Sequence, residues 1–325
     1  MIQAGIIGGA GYTAGELIRL LLHHPAAALN FVYSTSNAGN LLSDVHQDLQ
    51  GDTDKRFTGE INPDVDVLFL CLGHGNSRSF LEKHTFSEKT SIIDLSNDFR
   101  LSPDADFGGM HFVYGLPELH KSEIENAQYI ANPGCFATAV QLALLPLAQH
   151  GLLQQDVHIT AVTGATGAGT SLSPTSHFPW RDNNFSYYKP FAHQHLGEIE
   201  QSITGLQGSF AKKIRFMPYR GDFPRGIFAT AYTAFDGDIG KAEELYEDFY
   251  KNAAFTHVSD RQLHLKQVVN TNKCLIHLQK HDDQLLVTSI IDNLTKGASG
   301  QAIHNMNLVF GLEETLGLGL KASYF

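Results

Sequence analysis

A glycine-rich turn near the start of the chain constrains the fold more than any other feature. An apolar run over residues 2–8 leads into the small residues of 8–15, and a helical pattern follows over 16–24. Strand, glycine turn and helix in this order are typical of a dinucleotide-binding unit, where the helix N-terminus binds the pyrophosphate. The spacing is not a regular G-x-G-x-x-G, so the alternative is a turn that only allows close packing. The absence of a following Gly-Lys-Ser/Thr disfavours a P-loop.

The segment after the second predicted strand bears on the choice of cofactor. The apolar residues 29–33 are followed by Ser34-Thr35-Ser36-Asn37. An NAD site usually places an acidic residue here, which accepts a hydrogen bond from the ribose 2′-hydroxyl. Hydroxyl and amide groups can instead donate to a 2′-phosphate, which favours NADP over NAD, although no arginine is close in sequence. The candidate cofactor-binding residues are Gly8, Gly11, Tyr12, Thr13, Ser34 and Ser36.

Polar loops follow three further apolar runs, at 65–72, 91–95 and 129–131. In a doubly wound sheet these strand ends line the ligand crevice. Arg100, in the second loop, is a candidate for binding a phosphate or a carboxylate. The alternative is a solvated surface arginine.

The third of these loops contains Cys135, and an apolar helical pattern follows it over about 138–149. This order places the cysteine at or just before a helix N-terminus, where amide groups and the helix dipole favour negative charge. A thiol in such a position has a lowered pKa and is more reactive. The alternative is a buried, inert cysteine beside a tight turn.

The second half of the chain carries a second group of polar candidates. His193, His195 and Glu198 lie where a long loop enters a predicted helix. They fit acid–base chemistry, substrate contacts or a structural role, whereas a metal site is least favoured because His-x-His is common by chance. Arg225 belongs to the densest basic region of the chain. Strand patterns at 157–163, 226–235, 274–279 and 285–291 predict a mostly antiparallel second sheet.

Composition argues against several classes of protein. The 325 residues carry a net charge of -11, which opposes nonspecific binding to nucleic acid or an acidic membrane. No apolar run approaches the ~18 residues of a membrane span, and residues 1–5 lack the basic region of a signal peptide. Cys71, Cys135 and Cys274 show no Cys-x-x-Cys spacing. We therefore expect reduced thiols and a cytoplasmic protein.

Six segments together resemble the N-acetyl-gamma-glutamyl-phosphate reductases, and the resemblance runs nearly end to end. They are GGAGYTAGEL at 8–17, IDLSNDFRL at 93–101, VYGLPEL at 113–119, NPGCFATA at 132–139, HQHLGEI at 193–199 and KGASGQA at 296–302. The chain departs from the usual family pattern in two places. Ala14 holds the third glycine position of the nucleotide turn, and Gln194 and Gly197 stand where arginine and proline are usual.

The resemblance implies an α/β protein with two domains. The first, residues 1–137 with a C-terminal helix over 300–325, is a Rossmann-type NADP-binding domain. The second, residues 138–299, is a catalytic and oligomerisation domain of the aldehyde dehydrogenase/acyl-phosphate reductase type, with a mostly antiparallel sheet. The implied assembly is a homo-oligomer, a dimer or a tetramer.

The resemblance also implies a reaction, the NADPH-dependent reduction of N-acetyl-gamma-glutamyl phosphate to the semialdehyde in arginine biosynthesis. Cys135 falls on the family's nucleophile and His193 on the histidine associated with acid–base work, with His195 as its rival. The implied substrate-binding residues are Arg100, His195, Glu198 and Arg225.

Other functions share parts of this pattern. A related acyl-phosphate reductase acting on another N-acyl or aminoadipyl substrate would keep the fold and the cysteine. An aspartate-semialdehyde dehydrogenase is disfavoured because residues 225–227 contain no histidine. A non-redox cysteine hydrolase or acyltransferase would use Cys135 and His193, and an NADP-binding regulator would leave the cysteine inert. The sequence leaves the size of the N-acyl group open.

Overall fold

The computed structural model describes residues 1–325. The strands are β1 (Ile2–Ile7), β2 (Ala27–Tyr33), β3 (Val67–Leu70), β4 (Ser91–Asp94), β5 (Asp106–Phe107), β6 (Met110–Tyr114), β7 (Tyr129–Ala131), β8 (Val157–Thr163), β9 (Ser186–Tyr187), β10 (Ile214–Arg220), β11 (Ile227–Ala234), β12 (Thr256–Val258), β13 (Cys274–His281) and β14 (Gln284–Ile291). The helices are α1 (Tyr12–Leu22), α2 (Leu42–Val45), α3 (Asn76–Leu81), α4 (Pro117–Glu125), α5 (Cys135–Gln149), α6 (Phe178–Arg181), α7 (His195–Leu206), α8 (Ile239–Tyr250) and α9 (Gly300–Val309). None of them combines the length and hydrophobicity that a membrane-spanning segment requires.

The chain divides into two compact units, each with its own seven-stranded sheet. The first unit comprises Met1–Pro133 with Ala298–Gly319, and the second comprises Gly134–Gly297 with Leu320–Phe325. The first contains β1–β7, and the second contains β8–β14.

The sheet of the first unit has the order β2-β1-β3-β4-β7-β6-β5, and all its pairs are parallel except β5 with β6. Parallel strands need long crossovers, and the apolar runs that form β1, β3 and β4 are buried on both faces. The strand order reverses beside β1, because β2 and β3 lie on its two sides. The glycine turn after β1 is therefore at the switch point where doubly wound sheets bind ligands.

The last helix, α9, ends at Val309, so the predicted C-terminal helix over 300–325 is too long. Gly311 takes a φ of 64°, and the amide of Leu312 donates to the carbonyl of Asn307 at 2.8 Å. This is a Schellman ending, which glycine favours because it adopts positive φ without steric cost. The apolar residues beyond Gly311 suggested a longer helix, but they continue as an irregular segment.

This irregular segment is attached to the first unit through Glu314. The Glu314 carboxylate accepts from His304 Nε2 at 2.8 Å and from Lys121 Nζ at 2.5 Å. The hydrogen bond from His304, with a smaller contribution from Lys121, lowers the pKa of Glu314 to about 2. Because this pKa is depressed on folding, the carboxylate stabilises the fold above the unfolded pKa, and that stabilisation is lost as the pH falls toward 2.

Glu314→Gln is therefore expected to lower the melting temperature by about 2 °C at about pH 7, a modest change because the pair is partly solvated. The difference from wild type should shrink as the pH is lowered from about 5 to about 3. Calorimetric melting of both proteins across this range measures it. A difference that stays constant with pH would show that the ion pair does not contribute to stability.

The sheet of the second unit has the order β12-β13-β14-β11-β8-β10-β9. Only β8 with β10 and β12 with β13 are parallel, so the predicted mostly antiparallel sheet is confirmed. The strands β8 and β11 alternate between buried and more exposed residues, which shows that one face of the sheet is covered.

Helix α5 covers that face, and it packs against β11, β13, β14, α7 and α8. Every residue from Phe136 to Ala148 is buried. Two tyrosine hydroxyls of α8 donate to carbonyls of α5, Tyr246 to Ala143 at 2.5 Å and Tyr250 to Leu142 at 2.6 Å. A helix fixed on all sides in this way gives its first residue, Cys135, a rigid position.

Candidate active site

Cys135 is the first residue of α5, where the sequence predicted a helix N-terminus. Gly134 precedes it as the N-cap in an extended conformation, φ -72° and ψ 147°. The first intrahelical bond runs from the amide of Thr138 to the carbonyl of Gly134 at 2.8 Å. The amides of Phe136 and Ala137 therefore have no acceptor within the helix, and the positive end of the helix dipole lies beside the thiol.

Glu198 and His195 lie against the residue that precedes the cysteine. The amide of Gly134 donates to Glu198 Oε2 at 2.9 Å, and His195 Nε2 is 3.9 Å from Glu198 Oε1. A Cβ atom on Gly134 would lie 2.3 Å from His195 Nε2, well inside contact distance. The glycine is thus required because the imidazole of His195 occupies the space of a side chain. The structure brings His195 and Glu198 together next to Cys135.

His193 belongs to the same cluster, but its hydrogen bonding differs. Its Nδ1 accepts the amide of His195 at 3.2 Å, and its ring packs edge-on against Phe136 at 5.5 Å. An Nδ1 that accepts an N–H cannot carry a proton itself. Neutral His193 therefore holds its proton on Nε2, where it is a hydrogen-bond donor.

Gly297 packs against Cys135 from a turn that sequence reasoning did not assign to the site. A Cβ on Gly297 would lie 2.8 Å from the Cβ of Cys135. The amide of Gly297 donates to the carbonyl of Asp292 at 2.8 Å, within the π-helical turn Thr295–Ser299 that follows β14. The small residues of 296–302 were noticed in the sequence, but their proximity to Cys135 depends on the tertiary fold.

Arg225, which we expected to bind substrate, forms a two-point ion pair with Asp292. Its Nε and Nη2 lie 2.9 and 3.0 Å from the carboxylate. Asp292 is fully buried and also accepts the amides of Asn270, Leu294 and Thr295. The pair therefore links the loop before β11 to the turn after β14. The sequence could not predict this pair, because Asp292 lies 67 residues from Arg225 and belongs to no recognisable motif.

Arg100 is buried at 5% exposure, so the alternative of a solvated surface arginine is wrong. Its Nε donates to the carbonyl of Asn132 at 2.8 Å and its Nη2 to that of Leu95 at 3.0 Å. Asn132 in turn accepts from Asn305 and donates to the carbonyl of Ala298, both at 3.0 Å. This network holds the polar loops after β4 and β7 in the first unit.

The glycine turn after β1 has the backbone that a dinucleotide site requires. Gly8 takes a φ of 81°, and Gly11 is the N-cap of α1, with nothing within 4 Å of the position a Cβ would occupy. Tyr12 and Thr13 form the first turn of α1, and the carbonyl of Thr13 accepts from Ser299 at 2.7 Å. The open side of Gly11 leaves room for a pyrophosphate at the helix N-terminus.

The helix after this turn begins at Tyr12, four residues earlier than the sequence pattern indicated. Gly15 therefore lies inside α1, where a Cβ would come within 2.5 Å of His46 Nδ1. The other nitrogen of His46 lies 2.7 Å from the carbonyl of Gly9. Gly15 thus provides the close packing that the third glycine of the usual pattern provides, although Ala14 holds that position.

The hydroxyl oxygens of Ser34 and Ser36 both accept a hydrogen bond from the side-chain amide of Asn37. Asn37 Nδ2 lies 3.2 Å from Ser34 Oγ and 3.1 Å from Ser36 Oγ. The chain also brings a cation to this loop, since Arg56 Nη1 donates to the carbonyl of Gly39 at 2.8 Å. The sequence contains no arginine near Ser36, but folding places one there.

Comparison with known proteins identifies the family. Residues 3–127 match the NAD binding domain of semialdehyde dehydrogenases, and residues 135–293 match their dimerisation domain. The chain is 65% identical to an N-acetyl-gamma-glutamyl-phosphate reductase of Christiangramia forsetii and 63% identical to one of Flavobacterium johnsoniae, with full coverage of both chains. The chain belongs to the N-acetyl-gamma-glutamyl-phosphate reductase family. The resemblance carried by the six sequence segments is confirmed.

Solved structures show the same fold at low sequence identity. Aspartate semialdehyde dehydrogenase II of Vibrio cholerae, complexed with ASA, matches with a TM-score of 0.71 at 14% identity, covering 96% of this chain and 98% of that one. The Candida albicans enzyme with NADP matches with a TM-score of 0.65 at 16% identity, covering 95% and 98%. These likenesses confirm the predicted fold class.

Proposed function

We propose that the chain reduces N-acetyl-gamma-glutamyl phosphate to N-acetylglutamate semialdehyde and phosphate with NADPH, in arginine biosynthesis. One observation carries the proposal. Cys135 begins a buried helix, with His195 and Glu198 against its N-cap, in a chain 65% identical to a reductase of that name. We assign NADP binding to the first unit and catalysis to the second.

The acyl phosphate explains why a thiolate is needed. A free carboxylate resists hydride attack, whereas phosphate is a good leaving group. The Cys135 thiolate attacks the acyl carbon, the C–O bond to phosphate breaks, and a thioester forms. NADPH supplies the hydride when bound. The tetrahedral oxyanion that results on Cys135 is placed to accept from the amides of Phe136 and Ala137, and it collapses to aldehyde and thiolate.

The two histidines divide the proton transfers in this proposal. His195, beside Gly134 and 3.9 Å from the Glu198 carboxylate, suits the base that takes the thiol proton, because the carboxylate stabilises an imidazolium. His193, whose Nδ1 accepts an amide, suits the donor that stabilises the oxyanion through Nε2. The sequence prediction placed both tasks on His193, with His195 as a substrate contact and the rival candidate.

The cofactor loop supports NADP rather than NAD. Ser34 and Ser36 both accept from Asn37, and their hydroxyl oxygens lie 3.5 Å apart, so one hydroxyl donates to the other. The proton of the remaining hydroxyl can be donated to a 2′-phosphate. Arg56 adds a positive charge near Gly39. No carboxylate of the kind that binds a ribose 2′-hydroxyl lies within residues 34–39.

We further propose that the protein is a homo-oligomer, a dimer or a tetramer, located in the cytoplasm. The match to a dimerisation domain supports the oligomer. The face of the second sheet opposite α5 carries His158 and Tyr232, whose rings stack at 5.0 Å, beside a cavity of about 330 Å³. An uncovered sheet face of this kind fits a second copy of the chain. The three cysteines form no disulfide, which supports the reducing compartment.

The proposed reaction is tested most directly in reverse. Purified protein is supplied with N-acetylglutamate semialdehyde, NADP and phosphate, and NADPH is followed by its absorbance. We expect phosphate-dependent NADPH formation, a much slower rate with NAD, and no rate without phosphate. Semialdehydes with other N-acyl groups identify the preferred acyl group. If no semialdehyde gives NADPH although the protein binds NADP, an NADP-binding regulator is favoured. If the protein neither forms NADPH nor binds NADP, a cysteine hydrolase is favoured.

A further inference from the structure

Two arginines of the second unit, Arg181 and Arg220, lie together beside Tyr188. The Cζ atom of Arg220 is 4.1 Å from the centre of the Tyr188 ring. The Nη2 atom of Arg181 donates to the carbonyl of Gly221, the residue after Arg220, at 2.6 Å. Both side chains are half-buried, so the two guanidinium groups share a restricted space.

Neither guanidinium of this pair forms an ion pair with a carboxylate of the chain. The Arg220 guanidinium makes no ion pair or hydrogen bond within the chain, and Arg181 Nε is buried without a hydrogen-bond partner. Burial first, and then the charge of Arg220, lower the pKa of Arg181. The carboxylate that faces them, Asp222, is exposed and accepts the amide of Asn183 at 2.9 Å. Two close cations with an unused buried donor are the features of an anion site.

This pair lies next to the catalytic cluster. The Tyr188 ring packs edge-on against His193 at 5.6 Å, and His193 packs against His195 at 4.7 Å. Burial and the charge of Cys135 raise the pKa of the Tyr188 hydroxyl, which agrees with a location close to the thiol. The contacts therefore run from Arg220 through Tyr188 and the two histidines to the N-cap of the nucleophile's helix.

The arginines that the sequence suggested for substrate are already engaged. Arg225 is paired at two points with the buried carboxylate of Asp292, and Arg100 donates to two main-chain carbonyls. The guanidinium of Arg220 has no hydrogen-bond acceptor within the chain, and Arg181 has one only for Nη2 and none for its buried Nε. A planar fork of N–H donors matches a carboxylate or a phosphate.

We propose that Arg181 and Arg220 bind an anionic group of the substrate, a carboxylate or a phosphate, beside Cys135. This inference rests on the proposed function for the identity of the substrate, but not for the existence of the anion site. Neither arginine belongs to the six segments that carry the family resemblance. The two arginines come together only in the folded chain, where the end of β10 lies next to the loop that contains α6.

The site can be tested without catalytic turnover by alkylating Cys135 with two reagents. Iodoacetate is an anion and iodoacetamide is neutral, and both react with the same thiolate, so their rate ratio is independent of the thiol pKa. We expect Arg220→Gln and Arg181→Gln to lower the iodoacetate-to-iodoacetamide ratio at Cys135 roughly tenfold, because the local positive potential is lost. Peptide mapping by mass spectrometry distinguishes Cys135 from Cys71 and Cys274.

Two further variants control this experiment. Arg220→Lys keeps the charge and should retain most of the ratio, while Arg261→Gln removes an arginine that is 87% exposed and should leave the ratio unchanged. An unchanged ratio in both Gln variants would overturn the proposal, and so would an equal fall in Arg261→Gln. If Arg220→Gln does not fold, Arg181→Gln decides the question alone, and an unchanged ratio in that protein overturns the proposal.

Turnover identifies which anion is bound. In the reverse assay we expect Arg220→Gln to raise the KM of one anionic reactant about 10- to 100-fold, the loss for a charge-assisted pair, with a smaller effect on kcat. A higher KM for phosphate assigns the site to the phosphate, and a higher KM for the semialdehyde assigns it to the carboxylate. If the Gln variants lower the alkylation ratio but the wild-type protein has no reductase activity, the anion site is supported and only the proposed reaction is overturned. Unchanged KM values in an active enzyme would exclude the substrate as the ligand.

Discussion

Cys135→Ala is expected to lower kcat of the reductase by at least about 10⁴-fold, because alanine cannot form the thioester on which the reaction depends. NADP binding, measured by calorimetry, should stay within about twofold of wild type, since the proposed cofactor-binding residues lie in the first unit. The phosphate-dependent reverse assay measures the loss. Cys135→Ser tests the same point with a nearly isosteric but weaker nucleophile, and it should be almost as inactive.

The other two cysteines provide matched controls. Cys274 is buried in β13 with its sulfur 3.4 Å from Ser289 Oγ, and burial together with the nearby Asp94 charge raises the pKa of the Cys71 thiol. Neither is a good nucleophile, so Cys71→Ala and Cys274→Ser should retain kcat within about threefold. Full activity in Cys135→Ala, or comparable losses in all three variants, would contradict the assignment of the nucleophile.

Local sequence signals predicted much of the fold because they reflect interactions close in the chain. The apolar run at 2–8 and the glycines after it predicted β1 and its turn, and the strand patterns at 226–235 and 285–291 predicted β11 and β14. The helix starting at Tyr12 was placed too late because Gly15 looked like part of a turn. Its role inside α1 depends on His46, which packs against it.

The site was predicted less completely because it is built from long-range pairs. Cys135 could be recognised from the turn and helix that contain it. The partner of Arg225 could not, since Asp292 belongs to a turn formed after the last strand of the second sheet. Arg56 reaches the Ser36 loop only through the pairing of residues 41 and 56. Such contacts depend on tertiary packing, which periodicity and motif spacing do not encode.

The two histidines illustrate the same limit, and they are two residues apart. Their spacing in the sequence does not rank them as the base, and only the family resemblance favoured His193. In the structure, His195 contacts Gly134 and lies near Glu198, whereas His193 Nδ1 accepts an amide. This difference in contacts is the basis for our proposal that His195 accepts a proton and His193 donates one, and each role has a different experimental signature.

His195→Asn is expected to lower kcat about 10²- to 10³-fold and to slow iodoacetamide labelling of Cys135 at neutral pH by at least about tenfold, because the thiol loses its base. His193→Asn is expected to lower kcat to a similar extent while leaving labelling within about twofold, because it acts on the oxyanion after the thiolate has formed. His281→Asn, an exposed histidine at the end of β13, is the matched control and should change neither quantity. If only His193→Asn slows the labelling of Cys135, His193 is the base and His195 is the donor to the oxyanion. Normal turnover in His193→Asn, with none in His195→Asn, would leave His195 as the only catalytic histidine of the pair.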